Sequence, residues 1–295
     1  MRFRVPYQFF LILGWMLLIC EPFVVQAQDT LVLYGDTIRV GELEWDMQKD
    51  WRSKRKLITE NRELYGDHVR ILLTYHKNRM VSEINFGYVD KAEGFVKHGP
   101  ARYYYDSGHL KSKRQFEEGK MNGRVEDFFK SGKTQVISHV HNDSLQGSYT
   151  TFYPEGIPEQ KGHYEGNALN GRYQAWYNTG ETKWIEHWDK GVKTGIDSAF
   201  YETGKLESAI PFTDGEEDGI ARGYHRNGKQ WTEWVFEKGR LLEIRFVQNS
   251  NGNPLEIGSF RKGSGWVNIY KSNGLVREKR LYRDGYLRRV KPVKE

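Results

Sequence analysis

The stretch GRYQAWYNTG, Gly171 to Gly180, begins and ends with glycine and carries an aromatic pair, Trp176 and Tyr177, shortly before the closing glycine. The same pattern returns as GRVEDFFKSG from Gly123, GSYTTFYPEG from Gly147, GIDSAFYETG from Gly195 and GIARGYHRNG from Gly219. Self-similar segments at a fixed period are the sequence signature of a repeat architecture. This repeat is therefore the basis for predicting the fold.

The glycines recur at a constant step along the chain. The opening glycines are Gly99, Gly123, Gly147, Gly171, Gly195 and Gly219. The closing glycines keep the same step until the last, which follows slightly early: Gly108, Gly132, Gly156, Gly180, Gly204, Gly228, Gly252 and Gly274. Eight units extend from about Gly99 to about Gly285, and the seventh lacks its opening glycine at Glu243.

Between the glycines, large apolar residues recur in two columns. Five residues after the opening position stand Tyr104, Phe128, Phe152, Trp176, Phe200, Tyr224, Gln248 and Tyr270. Eight residues after the closing glycine stand Phe116, Val140, Tyr164, Trp188, Phe212, Phe236, Phe260 and Tyr282. Neither arm shows helical spacing, and a glycine every dozen residues disfavours a helix. Each unit is predicted to be a β-hairpin whose turn glycine takes a positive φ.

Hairpins that follow one another at this period add to an antiparallel sheet. The predicted fold class is therefore all-β, an elongated open solenoid of about eight 24-residue antiparallel β-hairpins with an N-terminal cap region. With strands about 4.8 Å apart, each unit advances about 10 Å and eight units make a ribbon roughly 75 to 80 Å long. In such a solenoid, each unit is stabilised by its neighbours.

The aromatic pair, two spacer residues and a glycine, followed by an aromatic residue and G-x-x-x-G at this constant period, resemble the MORN repeat. The resemblance is closer to the MORN-repeat variant family of bacterial proteins, some of which are labelled toxin–antitoxin antitoxins. It covers about Gly99 to Gly285. It implies an open β-hairpin solenoid with a scaffold or binding role, sometimes at membranes, and no catalytic group.

The N-terminus differs from the rest of the chain. Residues 1–27 combine the basic MRFR, the apolar run FFLILGWMLLIC and the small-residue site VQA, which predicts a secretory signal peptide cut after Ala27. The alternatives are an uncleaved membrane anchor and a lipid-modified Cys20. An exported protein would reside in the periplasm, on the outer-membrane surface or outside the cell. Cleavage would leave a chain without cysteine.

Residues 28–98 fit the period poorly and are predicted to cap the first sheet edge, ahead of the repeats at 99–295. A small recognition element is the alternative. Two hairpins are expected here, one around Gly35 and Asp36 and one around Lys77 and Asn78. The polar stretch WDMQKDWRSKRKLITENRELYG between them is expected to form a short helix.

Composition and motifs exclude several classes of function. The net charge of +6 comes from 45 basic and 39 acidic residues without a polybasic block, so nucleic-acid binding is not implied. The sequence has no His-Glu-x-x-His, phosphate-binding glycine loop or nucleophile elbow. We therefore expect no enzyme and no cofactor. His139, His163 and His187 share a column, but neighbours about 10 Å apart cannot hold one metal.

A partner-binding surface is predicted on the face opposite Trp176 and Trp188. It comprises an aromatic column flanked by the three histidines: Tyr105, Phe129, Tyr153, Tyr177, Tyr201, His139, His163 and His187. Tyrosine and histidine combine apolar area with a polar tip, as interfaces prefer. The alternative is that aromatic ladders on both faces only stabilise a single-layer sheet. The predicted partner is a cell-envelope protein or a second copy of the chain; a cell-wall glycan is the alternative ligand.

Overall fold

A computed structural model of the 295-residue chain describes residues 30–33, 36–39, 45–48, 56–59, 62–64, 67–76 and 81–293. The regular structure of these residues is strand, as predicted, and it forms two compact units, Met1–Ser144 and Leu145–Glu295. The predicted signal peptide, residues 1–27, lies outside the described residues. None of the described residues belongs to a helix long and apolar enough to cross a membrane.

The first unit contains twelve described strands. They are β1 (Thr30–Leu33), β2 (Asp36–Arg39), β3 (Trp45–Gln48), β4 (Lys56–Thr59), β5 (Arg62–Leu64), β6 (Asp67–Tyr75), β7 (Val81–Asp90), β8 (Gly94–Tyr104), β9 (Leu110–Glu117), β10 (Lys120–Met121), β11 (Gly123–Phe128) and β12 (Thr134–His141).

The second unit continues with fourteen strands. They are β13 (Ser144–Phe152), β14 (Pro158–Glu165), β15 (Ala168–Leu169), β16 (Gly171–Trp176), β17 (Thr182–Asp189), β18 (Val192–Phe200), β19 (Leu206–Thr213), β20 (Glu216–Glu217), β21 (Gly219–Tyr224), β22 (Gln230–Glu237), β23 (Arg240–Val247), β24 (Gly265–Tyr270), β25 (Val276–Arg283) and β26 (Tyr286–Pro292).

Seven of the eight predicted hairpins are confirmed and share one register, whereas the seventh unit has β23 followed by isolated bridges such as Gln248–Pro254. In the pair β16–β17, the opening Gly171 lies opposite Trp188 and Trp176 lies opposite Thr182, with a register shift after Ala175. The pairs β8–β9, β11–β12, β13–β14, β18–β19, β21–β22 and β24–β25 show the same register and the same shift. Successive hairpins also pair with each other in antiparallel orientation; for example, Gln160 of β14 pairs with Ala175 of β16. Within each unit, and among the described residues, the first strand of the sheet does not pair with the last strand. The sheet is therefore open.

Glycine is needed where the hairpin turns. Gly180 has a φ of 91° in the turn between β16 and β17, and its N–H donates to the carbonyl of Tyr177 at 2.9 Å. Residues with a Cβ rarely adopt this conformation, whereas glycine adopts it freely. The periodic glycines of the sequence thus mark the turns of the sheet.

One hairpin before Gly99 has the register of the repeats although its sequence lacks their glycines. In β6–β7, Arg70 lies opposite Gly87 and Tyr75 opposite Val81, with the register shift after Thr74. This pair confirms the hairpin expected around Lys77. The pair β1–β2 confirms the hairpin expected around Gly35. That residues 28–98 act as a cap stays a prediction.

The short helix expected between these two hairpins was a wrong prediction. Its described residues form β3, β4 and β5, and Trp45 lies opposite Thr59 while Leu57 lies opposite Leu73. Pairing along strands on both sides satisfies the backbone of this polar stretch, and this tertiary context outweighs its local helix propensity.

The largest buried side chains lie away from the middle repeats. In the first unit Ile84 and Phe86 of β7 are 0% and 1% exposed. In the second unit, the core lies near the C-terminus and comprises Leu241, Ile244, Val247, Phe260, Val267, Tyr270 and Tyr282. The irregular second arm of the seventh unit contributes Leu255 and Ile257 to the packing around this core. The intervening repeats are held mainly by strand pairing and partly buried rings.

Candidate interaction face

The predicted aromatic column lies at the tips of the hairpins. Tyr177 is the first residue after β16; its N–H donates to the carbonyl of Glu181 at 2.8 Å, and its carbonyl accepts from Gly180. The same two bonds recur at every column position from Tyr105 to Lys271. We call the following residues the tip column: His76, Tyr105, Phe129, Tyr153, Tyr177, Tyr201 and His225.

The polar ends of the tip column bind the next hairpin. The Tyr177 hydroxyl donates to the carbonyl of Phe200 at 2.8 Å, and the Tyr201 hydroxyl donates to that of Tyr224 at 2.7 Å. Tyr105 and Tyr153 bind the carbonyls of Phe128 and Trp176 in the same way, at 2.8 and 2.9 Å. Phe129 has no hydroxyl to donate.

Histidine replaces tyrosine at both ends of the tip column. Nε2 of His76 lies 2.9 Å from the carbonyl of Tyr104, and Nε2 of His225 lies 2.9 Å from that of Gln248. A carbonyl only accepts, so Nε2 carries the hydrogen in both rings. His225 lies 24 residues after Tyr201, so the period places it in this column, but the sequence does not indicate that it replaces the hydroxyl. His76 was missed by the sequence pattern.

The tyrosine and phenylalanine rings of the tip column are partly buried, and cations lie over several of them. Lys130 Nζ is 5.6 Å from the ring centre of Tyr105, Lys183 Nζ 5.6 Å from that of Tyr177, and Arg226 5.2 Å from that of Tyr201. The structure thus uses these tyrosines within the sheet. We therefore favour a structural role for these tyrosines over the partner binding predicted from the sequence, which no observation on this structure tests.

The three predicted histidines occupy the other end of the strands. His187 lies opposite Arg172, five residues before Tyr177, or about 16 Å at roughly 3.3 Å per residue. His139 and His163 hold the equivalent positions opposite Arg124 and Ser148. Histidines and tyrosines are therefore not brought together. Nδ1 of His187 donates to the carbonyl of Ile196 at 3.1 Å, and His163 is exposed.

The sheet face opposite the three histidines carries a different aromatic set in the second unit. We call it the aromatic face: Tyr149, Tyr164, Tyr173, Trp184, Trp188 and Phe212. All six side chains are partly exposed. Registers place them on one face, since Tyr149 lies opposite Gly162, Trp188 opposite Gly171 and Phe212 opposite Gly195.

Small residues beneath the rings make this face possible. A Cβ at Gly162 would come within 2.5 Å of Cδ2 of Tyr173, so the tyrosine ring lies directly over the glycine backbone. Ala175, which lies opposite Trp184, is 3% exposed. Tyr173 and Trp184 are in contact, with ring centres 4.9 Å apart. Rings supported in this way present their outer surface without moving freely.

A charged cluster lies at the centre of the aromatic face. Lys193 Nζ donates to Glu186 at 2.8 Å and to Asp197 at 2.6 Å. The same ammonium lies 5.3 Å from the ring centre of Trp188 and 5.2 Å from that of Phe212. Trp188 Nε1 donates to the second oxygen of Glu186 at 3.1 Å. The cluster fixes both rings by charge-assisted bonds and cation–π contact.

Burial changes the protonation equilibria of this face. It raises the pKa of Asp197 even though Lys193 favours the carboxylate. For Lys193, burial would lower the pKa, but the bonds to Asp197 and Glu186 outweigh it and raise the pKa. Burial, with nearby tyrosines and carboxylates, raises the pKa of Tyr173 to about 12. The Tyr173 hydroxyl donates to Oε1 of Gln160 at 2.5 Å.

Among the described residues, no group of three or more His, Cys, Asp or Glu is placed to hold a metal ion. Glu186 and Asp197 are committed to a lysine, which favours a structural role for them.

Comparison with known proteins agrees with the hairpin register. The family model described as MORN repeat variant matches residues 97–118 and 145–165. The first match lies on the hairpin β8–β9 and the second lies on β13–β14. A search of curated proteins found no match. The two matched hairpins are similar to the MORN repeat variant, and their register continues through β16–β17, β18–β19 and β21–β22.

Proposed function

We propose that this protein is an exported, non-enzymatic scaffold of the bacterial cell envelope that binds another protein through the aromatic face. MORN repeats generally mediate interactions with proteins or membranes, and the family is not enzymatic. The observation that carries the proposal is a set of six partly exposed rings on one face, held in fixed positions by small residues and by Lys193.

The chemistry of the aromatic face suits a protein partner. Tryptophan and tyrosine are the residues most enriched where binding energy is concentrated. Rings that are already fixed lose little conformational freedom on binding, which lowers the cost of association. A second copy of the chain is one such partner, because an aromatic sheet face is stabilised by being covered.

The assignment to the cell envelope is part of the proposal and is supported by the N-terminal sequence. A basic start, an apolar run of twelve residues and a small-residue site ending at Ala27 are typical of a signal peptide. Periplasm, outer-membrane surface and medium are the compartments that this segment allows.

Affinity capture with matched variants tests the proposal. The tagged full chain is expressed in its own cells, and proteins retained from the cell envelope are identified by mass spectrometry. Trp184→Ala removes a partly exposed ring from the aromatic face. Ile196→Ser is the control, because Ile196 is 53% exposed and lies on the opposite face.

We expect a stoichiometric envelope protein to be retained by the wild type and by Ile196→Ser, and to be lost with Trp184→Ala. Circular dichroism of each variant establishes that the sheet is intact. Equal retention by both variants would exclude the aromatic face as the binding surface.

A carbohydrate ligand is the second candidate, and one observation favours it. Asp197 Oδ1 on the aromatic face is buried and accepts no hydrogen bond within the described residues, and the backbone N–H of His187 acts on the carboxyl group as a whole to lower its pKa. An unused acceptor therefore lies just beneath the rings. Rings stack on sugar faces while such acceptors bind hydroxyl groups. Sedimentation with purified cell-wall glycan, reversed by soluble sugar, would support this function in place of protein binding.

A further inference from the structure

The net charge of the chain is concentrated at its C-terminal end. Residues 276–295 hold eight Lys and Arg and three Asp and Glu, a net charge of +5. The whole chain has 45 basic and 39 acidic residues and a net charge of +6, so the rest of the chain carries only +1. A charge so localised creates a strong local field, whereas a scattered one does not.

The structure places this charge on the last hairpin, β25–β26. Strand β26 is the terminal strand of the three-stranded sheet β24–β25–β26, and all seven of its residues are exposed. It pairs with β25 on one side only, as far as the described residues show. Its outer side is therefore an edge whose backbone groups are open to pairing with another strand.

Four cations lie on one face of this hairpin. Lys279 lies directly opposite Lys291, and Arg289 and Arg283 hold alternate positions on the same strands. Glu278, the acidic residue of β25, is bound to Arg280 at 2.7 Å and to Arg277 at 3.4 Å. Within the described residues, no carboxylate reaches the other four: Lys279, Arg283, Arg289 and Lys291.

Like charges directly opposite each other destabilise a strand pair. The opposed lysines Lys279 and Lys291 thus weaken the hairpin unless an anion lies nearby. The same region also exposes apolar side chains: five of the nine exposed large apolar residues of the described chain are Leu275, Tyr286, Leu287, Val290 and Val293.

One known role of cations on an edge strand is to prevent unwanted pairing with other strands. That role alone does not account for Tyr286, Leu287 and Val290 being 47% exposed on the same strand. An edge that both repels basic strands and offers apolar contacts is selective for one kind of strand. Carboxylates and apolar residues that alternate along an extended chain match it.

We propose that β26 is a docking edge for an extended, acidic segment of another protein. The segment adds as a strand next to β26, pairing backbone to backbone. Its carboxylates lie beside Arg289 and Lys291, while Lys279 and Arg283 add attraction from the neighbouring strand. A free backbone edge favours a peptide over a membrane surface, which has no strand to pair.

The test uses the full chain and labelled synthetic peptides. The probe is a blocked peptide of alternating Glu and Val. One control has the same sequence with N-methyl groups on alternate residues, which blocks strand pairing. The other control replaces Glu by Lys. Fluorescence anisotropy at low and high salt measures binding.

The variant Arg289→Glu/Lys291→Glu reverses two charges on the docking edge. Its matched control, Lys161→Glu/Arg172→Glu, reverses two charges on exposed residues of the middle repeats. We expect the Glu-Val peptide to bind with an affinity that falls with salt, and the edge variant to weaken it at least about tenfold while the control does not. The N-methyl and Lys-Val peptides should not bind.

Any of four outcomes would overturn the proposal. These are no binding of the Glu-Val peptide, equal binding of its N-methyl form, equal binding to the edge variant, and binding of anionic phospholipid vesicles in place of the peptide. Trp184→Ala should bind the peptide as the wild type does. Failure here is thereby distinguishable from failure of the proposed function of the aromatic face.

Discussion

At the scale of single residues, the side chains of the tip column stabilise the contact between neighbouring hairpins through hydrogen bonds. A hydroxyl that donates to a backbone carbonyl of the next hairpin satisfies a group that regular strand pairing leaves free at the turn. The sequence predicted the column from Tyr105 to Tyr201, because the 24-residue period sets it, but it missed His76. It could not predict the use of the polar ends of these residues, because the carbonyl within reach is fixed only once the neighbouring hairpin is in place.

We expect Tyr177→Phe to lower the free energy of unfolding by about 1 kcal/mol, because the Phe200 carbonyl loses its hydrogen bond while the ring stays in place. Urea denaturation measures the change. Tyr286→Phe is the matched control, since Tyr286 is 47% exposed and has no such bond in the described structure. Equal effects of the two substitutions would contradict a stabilising role for the tip hydroxyls.

The raised pKa values of the tyrosines predict a loss of stability at alkaline pH. A pKa of about 12 for Tyr173, above its ordinary value of 10.0, means that the fold favours the neutral phenol. This contribution is complete below pH 10 and is lost as the pH rises through about 12. Burial also raises the pKa of Tyr153, Tyr177 and Tyr201.

Urea midpoints measured at pH 8, 10 and 11 test this dependence. The wild type should lose stability steadily above pH 10, and Tyr173→Phe should show a shallower loss. The same slope in both proteins would show that ionisation of Tyr173 is not coupled to folding.

At the scale of the element, one hairpin register explains the repeat. Each hairpin has a glycine turn, a register shift before its tip and a glycine opposite a large residue. The sequence predicted these hairpins where glycine marks the turns. It did not predict that β6–β7 shares the register, because Arg70 occupies the position of the opening glycine there. Backbone hydrogen bonds between strands do not require a particular side chain.

Gly180 provides a test of the turn. Its φ is 91°, and a Cβ there would meet no atom within 4 Å, so a substitution is opposed by backbone conformation and not by crowding. We expect Gly180→Ala to destabilise the protein by about 1 kcal/mol, and Gly180→Asn to cost less because asparagine tolerates positive φ better. Thermal denaturation gives both values. An alanine variant as stable as the asparagine variant would contradict the requirement for positive φ.

At the scale of the whole molecule, stability is unevenly distributed within each unit. The second unit has its fully buried apolar side chains near its C-terminal end, while its middle repeats depend on partly buried rings and strand pairing. The sequence indicated stacked repeats with neighbour-dependent stability. It did not predict this core, because the seventh unit departs from the repeat pattern. The period therefore does not indicate that Leu255, Ile257 and Phe260 pack together.

Leu241 tests the importance of this core, since its side chain is fully buried. We expect Leu241→Ala to lower the free energy of unfolding by about 2 to 5 kcal/mol, the usual range for a large-to-small change in a packed core. Val192→Ala is the control, because Val192 is 45% exposed and its truncation should change stability by less than about 0.5 kcal/mol. Similar effects at the two sites would show that the C-terminal residues are not a packed core.

We propose that the aromatic face contacts the partner, and that neither the tip column nor the opposite face does. Site-specific photo-cross-linking in living cells measures this directly, with a benzophenone amino acid placed in turn at Trp184, Tyr177 and Ile196. We predict a discrete protein adduct from position 184 and none from 177 or 196. Adducts that form at 177 or 196 but not at 184 would contradict the claim and place the binding surface elsewhere on the hairpins.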